Sequence, residues 1–304
     1  MHINKREPVL VSKKRLLDNE RFLGYVLIAP VVIIIVVLIF YSIARGGFVS
    51  LQEKMLGVPN PEFVGLKNYI EVFKDNIFRL SFKQSMIWTI SSLISQIIIG
   101  MLLALLLNKK FKGRFFFRGL LIVPWVTPVI VMATIFKWMM NGLYGILNQI
   151  LVNFKLIETS LGWFSDPKLA LPLLIGINIW RGSPFMMLMF LAGLQAIPNE
   201  IKDAARVDGT STIQEFFYIT LPFLKRIIIV VVLIFFLWNF NNFDLIYLLT
   251  NGGPGYSTFT LPVYVYSLAF ESFKSGQASA VSIIMFVILA IISLLYFRVY
   301  KEKD

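Results

Sequence analysis

Six apolar runs, each close to or longer than the roughly 20 residues that carry a helix across a bilayer, dominate this chain. Residues 23–44 and 86–107 contain no charge. Residues 119–136 are uncharged and continue through Lys137 to Met140. The run 169–197 is interrupted only by Arg181, the run 227–249 only by Asp244, and 278–297 completes the set. A transmembrane barrel is built from short alternating strands. An unbroken stretch such as 31–40 instead predicts helix, the other way for a backbone in lipid to satisfy its own hydrogen bonds. Composition agrees, with 57% hydrophobic and 15% charged residues in 304, against about 45–50% and about 25% in soluble domains. The expectation is an all-α membrane protein with six transmembrane helices.

Charge gives the orientation. There are 29 Lys and Arg against 17 Asp and Glu, a net +12. The N-terminal tail carries Lys5, Arg6, Lys13, Lys14, Arg15 and Arg21, and the connection 108–118 carries Lys109, Lys110, Lys112, Arg114 and Arg118 with no acid. Lys202, Arg206, Lys225 and Arg226 follow the fourth run, and Arg298, Lys301 and Lys303 close the chain. With six spans these four segments share one side, which then holds 18 of the 29 basic residues and a net +9, against +3 opposite; Arg181 and Asp244 cancel. Basic loops stay cytoplasmic, so both termini are expected inside. A cationic nucleic-acid binder would show the same net charge, but its basic residues would not sort by membrane side; no nucleic-acid partner is expected. The first run exceeds a signal-peptide core and no A-x-A-like site follows Ala44, so it reads as an anchor. The expected organisation is a cytoplasmic tail 1–22, a first span 23–45, an extracytoplasmic loop 46–84, a five-helix core 85–297 with a cytoplasmic connection 198–222, and a tail 298–304. Leu66, Tyr69, Ile70 and Phe73 share one helical face, predicting a short amphipathic helix in the loop.

The same inventory removes most catalysis. Cysteine is absent, and the only histidine is His2, in a polar tail. Disulfides, thiolate metal sites, cysteine nucleophiles, His–carboxylate pairs and an H-E-x-x-H zinc site are all excluded. No G-x-x-x-x-G-K-[ST] sequence occurs, so the chain lacks the loop that cradles ATP phosphates.

The connection 198–222 is the most unusual stretch. Pro198-Asn199 can open a helix, Ile201, Ala204, Ala205 and Asp208 share a face, and Gly209 falls where a left-handed residue would end it. A second helix can start at Ser211 with Gln214, or at Thr212 with Glu215, as a capping box, and runs through Phe216, Phe217 and Ile219 to Leu221-Pro222. Two readings stay open: a helix–turn–helix lying on the membrane surface, or a docking site whose alanines let a soluble partner approach closely.

Asp203-Ala204-Ala205-Arg206-Val207-Asp208-Gly209, followed by Leu221-Pro222, closely resembles the "EAA" motif of ABC-importer permeases, with Asp203 in place of the usual Glu. That change keeps the charge and shortens the reach. Trp238-Asn239-Phe240-Asn241-Asn242-Phe243, Leu248-Leu249-Thr250-Asn251-Gly252-Gly253-Pro254, 63–69 and Ala192-Gly193-Leu194-Gln195-Ala196-Ile197-Pro198 are similar to maltose-type and glycerol-3-phosphate-type sugar permeases. The resemblance covers about residues 20–300. It implies the type I ABC-importer permease fold, a second homologous permease, two ATPase subunits that carry the ATP and Mg, and an extracytoplasmic solute-binding protein that delivers the sugar. No cofactor is expected on this chain. The loop of Asp203, Ala204, Ala205, Asp208 and Gly209, with Leu221 and Pro222, would be the ATPase-coupling element.

Polar groups in hydrocarbon are expensive and face a bundle interior or a wet cavity. The fourth run holds Asn178, Trp180 and Arg181; the fifth holds Trp238, Asn239, Asn241, Asn242 and Asp244. Amides beside an aromatic ring suit sugar hydroxyls and a pyranose face, and the competing role is to bond helices together. The bonding role is favoured for Gln96, Asn141 and Asn148, the path for 238–244. Carried over from maltose-type permeases, Asn178, Gly182, Phe185, Trp238, Asn239 and Asn242 would line the sugar site. Arg181 either meets an anionic or phosphorylated substrate or pairs with Asp244 or a carbonyl. Pro124, Pro128 and Pro184 are hinges or plain packing kinks. An ion-coupled carrier would show buried acids and repeats, and an aspartyl intramembrane protease two facing acids; Asp244 alone provides neither. A purely structural subunit leaves the coupling-type loop unexplained.

Overall fold

The computed structural model describes residues 20–55 and 60–301. Lys5, Arg6, Lys13, Lys14, Arg15 and Lys303, used above for orientation, lie outside the described residues. The first apolar run is one rod: α1 (Glu20–Ile35), a wider π-helical turn at Val36–Phe40, and α2 (Tyr41–Ser50). Its most apolar stretch is buried nowhere against the rest of the chain; only Val49 and Ser50, at its end, are buried.

A two-stranded antiparallel ribbon follows, β1 (Gln52–Glu53) and β2 (Glu62–Phe63), with Gln52 opposite Phe63. It leads to α3 (Lys67–Lys74), the short amphipathic helix expected from the sequence. Its apolar face, however, points outward: Leu66, Ile70 and Phe73 are exposed, and Asn68 and Val72 are buried. The Asn68 amide donates to the carbonyls of Ser50 (2.8 Å) and Gln52 (2.9 Å), satisfying the backbone where the chain leaves α2. That requirement turns the polar side inward.

Asp75 caps α4 (Asn76–Asn108), its carboxylate accepting from the Ile77 N–H at 2.8 Å. The helix starts well ahead of the apolar run at Met86. The third run does not form one straight span. It divides into α5 (Arg114–Val126) and α6 (Val129–Met139), bent by 92°. Pro128 disfavours helical backbone at Thr127, which sits extended at φ −64°, ψ 128°, and α5 stops there. Among the described residues five helical segments are long and apolar enough to cross a membrane, and the bent pair is a sixth apolar segment.

In the following loop, α7 (Ile146–Asn153) is held by Asn148, whose amide donates to the Leu161 carbonyl and accepts from Trp163 Nε1. Asn141 caps the adjacent turn by accepting from the Leu143 N–H. Then come α8 (Ala170–Gln195), continuous through Pro184, α9 (Asn199–Val207) and α10 (Thr212–Glu215). A π-helical turn at Phe216–Thr220 joins α10 to α11 (Leu221–Phe240), so Pro222 does not start a fresh helix. Proline cannot bond to the carbonyl four residues back, and the wider turn before it absorbs the clash. The fifth run then breaks at residues 241–243 before α12 (Asp244–Thr250). α11 alone, at 20 residues, is about 30 Å long at 1.5 Å per residue, the thickness of a hydrocarbon core. The chain closes with α13 (Leu261–Tyr266) and α14 (Ser275–Lys301).

Two apolar clusters form the core. One gathers Trp88, Leu174, Ile177, Phe240, Leu245, Ile246 and Val281; the other Met101, Met186, Phe190, Leu194, Leu224 and Phe235. Along α8 the two clusters are separated by a polar stretch that includes Asn178 and Arg181, and Gln96 of α4 and Asn239, near the end of α11, meet it to form a polar layer. Gly100 lets α4 and α8 meet closely, since a Cβ there would lie 2.7 Å from Met186 Cγ.

Candidate functional site

Three buried amides tie α4, α8 and α11 together in the polar layer. Gln96 Nε2 donates to the Asn178 carbonyl (3.0 Å), Asn178 Nδ2 to Asn239 Oδ1 (2.9 Å), and Asn239 Nδ2 to Gln96 Oε1 (2.9 Å). Trp88 Nε1 adds a bond to the Asn239 carbonyl at 2.9 Å. The bonding role expected for Gln96 thus extends to Asn178 and Asn239. Gly182 is required beside them, because a Cβ there would run into the Gln96 amide and come within 3.4 Å of Phe235.

This knot is the floor of a cavity of about 490 Å³, within the roughly 300–1,000 Å³ usual for small-molecule sites. Asn178, Arg181, Gly182, Trp238, Asn239, Asn242 and Asp244 all line it. Phe185 lies behind the wall, its ring 4.7 Å from that of Trp125 and 5.7 Å from that of Trp238. The eight residues singled out for the path therefore converge on one place.

They differ in what they offer. Asn178 and Asn239 are buried and engaged with each other, Asn242 is half-buried, and Asp244 and Trp238 are exposed. The Arg181 guanidinium carbon sits 5.6 Å from the Trp125 ring centroid, a cation–π distance. Its Nε is buried without a hydrogen-bond partner in the protein. Among the described residues Arg181 and Asp244 make no direct ion pair.

Trp125 is the residue that the sequence did not disclose. It stacks on Trp238 at 5.5 Å as well as on Phe185 and touches Arg181. Its only signal is its place between Pro124 and Pro128, where the chain must bend. No group of three or more His, Asp or Glu side chains that could hold a metal occurs among the described residues.

At the other end of α8, the connection folds as two helices about a glycine. Gly209 has φ +72°, in the left-handed region. Ser211 and Gln214 form the capping box, Ser211 Oγ accepting from the Gln214 N–H and Gln214 Oε1 from the Ser211 N–H. Thr210 Oγ1 donates to the Ala205 carbonyl at 2.7 Å, closing the turn. Ala205 is buried; Asp203, Ala204, Asp208 and Gly209 are exposed. Val207 (88%) and Ile213 (71%) are also exposed, flanking the turn with apolar surface. Leu221 is half-buried and Pro222 exposed where α11 begins.

Known proteins resemble this chain in sequence and fold. The family described as binding-protein-dependent transport system inner membrane component matches residues 96–302. The sulfoquinovosyl glycerol transport system permease protein SmoG of Agrobacterium fabrum is 35% identical, covering 99% of both chains. The trehalose/maltose transport system permease protein MalF of Thermococcus litoralis is 34% identical, covering 94% of this chain and 96% of its own. A crystal structure of a bacterial ABC transporter that imports the acidic polysaccharide alginate superposes with a TM-score of 0.82 at 22% identity, over 94% of this chain and 97% of that one. This chain is a multi-pass membrane protein and belongs to the inner-membrane permeases of binding-protein-dependent transport systems.

Proposed function

We propose that the chain is the permease subunit of an ATP-driven importer for a sugar or oligosaccharide, with six spans and both termini in the cytoplasm. It forms the translocation path with a second, homologous permease. It docks two cytoplasmic ATPase subunits through Asp203–Gly209 and takes its sugar from an extracytoplasmic binding protein. ATP and Mg belong to the ATPase; this chain catalyses nothing. The observation that carries the reading is the connection 198–222, where two helices meet at Gly209 and expose Ala204, Val207 and Ile213. Exposed apolar surface around a rigid turn fits a protein cleft better than water.

The relatives' names speak of trehalose/maltose and sulfoquinovosyl glycerol, both saccharides. Aromatic rings and amides around the cavity suit that class. Asp244 is exposed at the cavity rim, unlike the buried acid of a proton-coupled carrier.

The test is reconstitution with the sister permease, ATPase and binding protein. Sugar-stimulated ATP hydrolysis is expected, and Gly209→Val should reduce it at least tenfold, because a β-branched residue resists positive φ. Nothing lies within 4 Å of a Cβ at 209, so the effect reports backbone strain at the turn and not a clash. Unchanged stimulation refutes the docking role.

A further inference from the structure

We propose that the cavity above the Gln96–Asn178–Asn239 knot is built for an acidic saccharide, with Arg181 as the residue that reads its carboxylate or sulfonate. The proposal rests on the sugar-path reading above and specifies the class of sugar.

The argument begins with what the polar layer has already used. Asn178 Nδ2 donates to Asn239 Oδ1 and Asn239 Nδ2 to Gln96 Oε1, so both amides are already engaged within the protein. They give the cavity a firm floor and leave hydroxyl recognition to Asn242, Asp244 and the Trp238 ring. Arg181 is the only cation among the residues lining the cavity. A guanidinium presents five donors and keeps its charge even when buried. In a membrane interior such a group pairs with an acid or with carbonyls. Here its protein contact is the face of Trp125, and its buried Nε donates to no protein acceptor.

Asp244 would be the obvious partner, yet no ion pair joins them, and Asp244 is exposed at the rim. The cavity thus offers a cation on its inner wall and a hydrogen-bond acceptor at its mouth. A saccharide bearing an acid group matches both. Its oxyanion takes the planar fork of Arg181, while its hydroxyls donate to Asp244 and a ring face lies on Trp238. In this arrangement Trp125 holds the guanidinium until the acid group engages it, so ligand binding changes the surroundings of the Trp125 indole.

The experiment uses the purified permease–ATPase complex without its binding protein, so that selection by the latter does not enter. Two probes are compared: a uronic-acid disaccharide, and the same disaccharide with its carboxyl reduced to the alcohol. The wild type is expected to bind the acid at least tenfold more tightly, with a change in tryptophan fluorescence that Trp125→Phe removes. Arg181→Gln should shrink the preference to less than threefold. Arg181→Lys, which keeps charge but not the fork, should fall between them and serves if the glutamine variant fails to assemble. Equal affinity of the wild type for both probes, or an undiminished preference in Arg181→Gln or Arg181→Lys, overturns the charge assignment and leaves the sugar reading standing. Binding of neither probe, together with no sugar-stimulated ATP hydrolysis, refutes the sugar reading itself.

Discussion

Gln96, Asn178 and Asn239 lie in the same polar layer as Arg181, and by composition all four look alike: costly polar groups in an apolar bundle. Their surroundings separate them. The amides answer one another across three helices at 2.9–3.0 Å, whereas Arg181 rests on a ring with Nε unbonded within the protein. A polar group whose partners are neighbouring helices holds the bundle together. One that lines a cavity and has no hydrogen-bond partner in the protein at its Nε is available to a ligand. The difference separates architecture from recognition within a single layer.

Gly182 is where the two halves touch, and its replacement should have the largest effect. Valine there pushes into the Gln96 amide and Phe235, and overpacking of this kind costs about 1–3 kcal/mol before any hydrogen bond is lost. Gly182→Val is expected to lower the melting temperature of the complex and to bring uptake to background, with Gly182→Ala intermediate. Wild-type uptake by the valine variant would show that knot and cavity do not share this wall.

Asn239→Leu comes next. It strips Asn178 of an acceptor and Gln96 of a donor, and hydrogen bonds between membrane helices are worth about 0.6–2 kcal/mol each. The loss should appear as stability, measured by thermal unfolding in detergent. Gln96→Leu added to it should cost less than the sum, because the orphaned partner goes too. The contrast with Arg181 fails if Asn239→Leu changes only sugar preference.

How much of this the sequence disclosed follows from the range of the forces involved. The long apolar helices and the Gly209 turn are local matters of hydropathy and backbone geometry, and they were legible; the cap was narrowed to two pairs, of which Ser211–Gln214 forms. The convergence of residues 178–185 and 238–244 on one cavity came through the resemblance to sugar permeases. The right-angle bend at Pro128, the π turn before Pro222 and the break after Phe240 were not legible. Proline announces a disturbance, but the packing around it decides between kink, bulge and break. Asn239 could not be assigned to the knot, nor Trp125 to the site, because each depends on which helix faces which. The outward apolar face of α3 was hidden for the same reason: Asn68 turns inward toward carbonyls that become partnerless only once α2 ends at Ser50.

Trp125 offers a smaller effect on the recognition side. A cation–π contact is worth about 0.5–2 kcal/mol, and Trp125→Ala removes it along with the stacking on Phe185 and Trp238. The preference for the acidic disaccharide should weaken severalfold in Trp125→Ala and less in Trp125→Phe, read by calorimetric titration. A preference unaltered in both variants would detach the indole from Arg181.

The smallest effect lies outside the polar layer, where Tyr264 is a donor already engaged, like the amides. Its hydroxyl donates to Asp75 Oδ2 at 2.5 Å, joining α13 to the cap of α4. Burial first, and then the bond to Asp75, push the phenol pKa above its ordinary value. A raised folded-state pKa means that the neutral phenol's contribution is fully present below the unfolded value of about 10. It is lost as pH climbs through the folded value. Tyr264→Phe should therefore be less stable than the wild type near neutrality by about 0.5–1.5 kcal/mol, the usual worth of one hydrogen bond. The two stability curves should converge above pH ~10, as the wild type alone loses this contribution. Sugar-stimulated ATP hydrolysis at neutral pH should stay within about twofold, because Tyr264 touches neither the cavity nor the Gly209 turn. Parallel curves across the alkaline range would mean that the Tyr264–Asp75 bond contributes nothing to stability. An engaged donor would then not by itself mark an architectural residue in this chain, and the assignment of the amides to architecture would rest on Asn239→Leu alone.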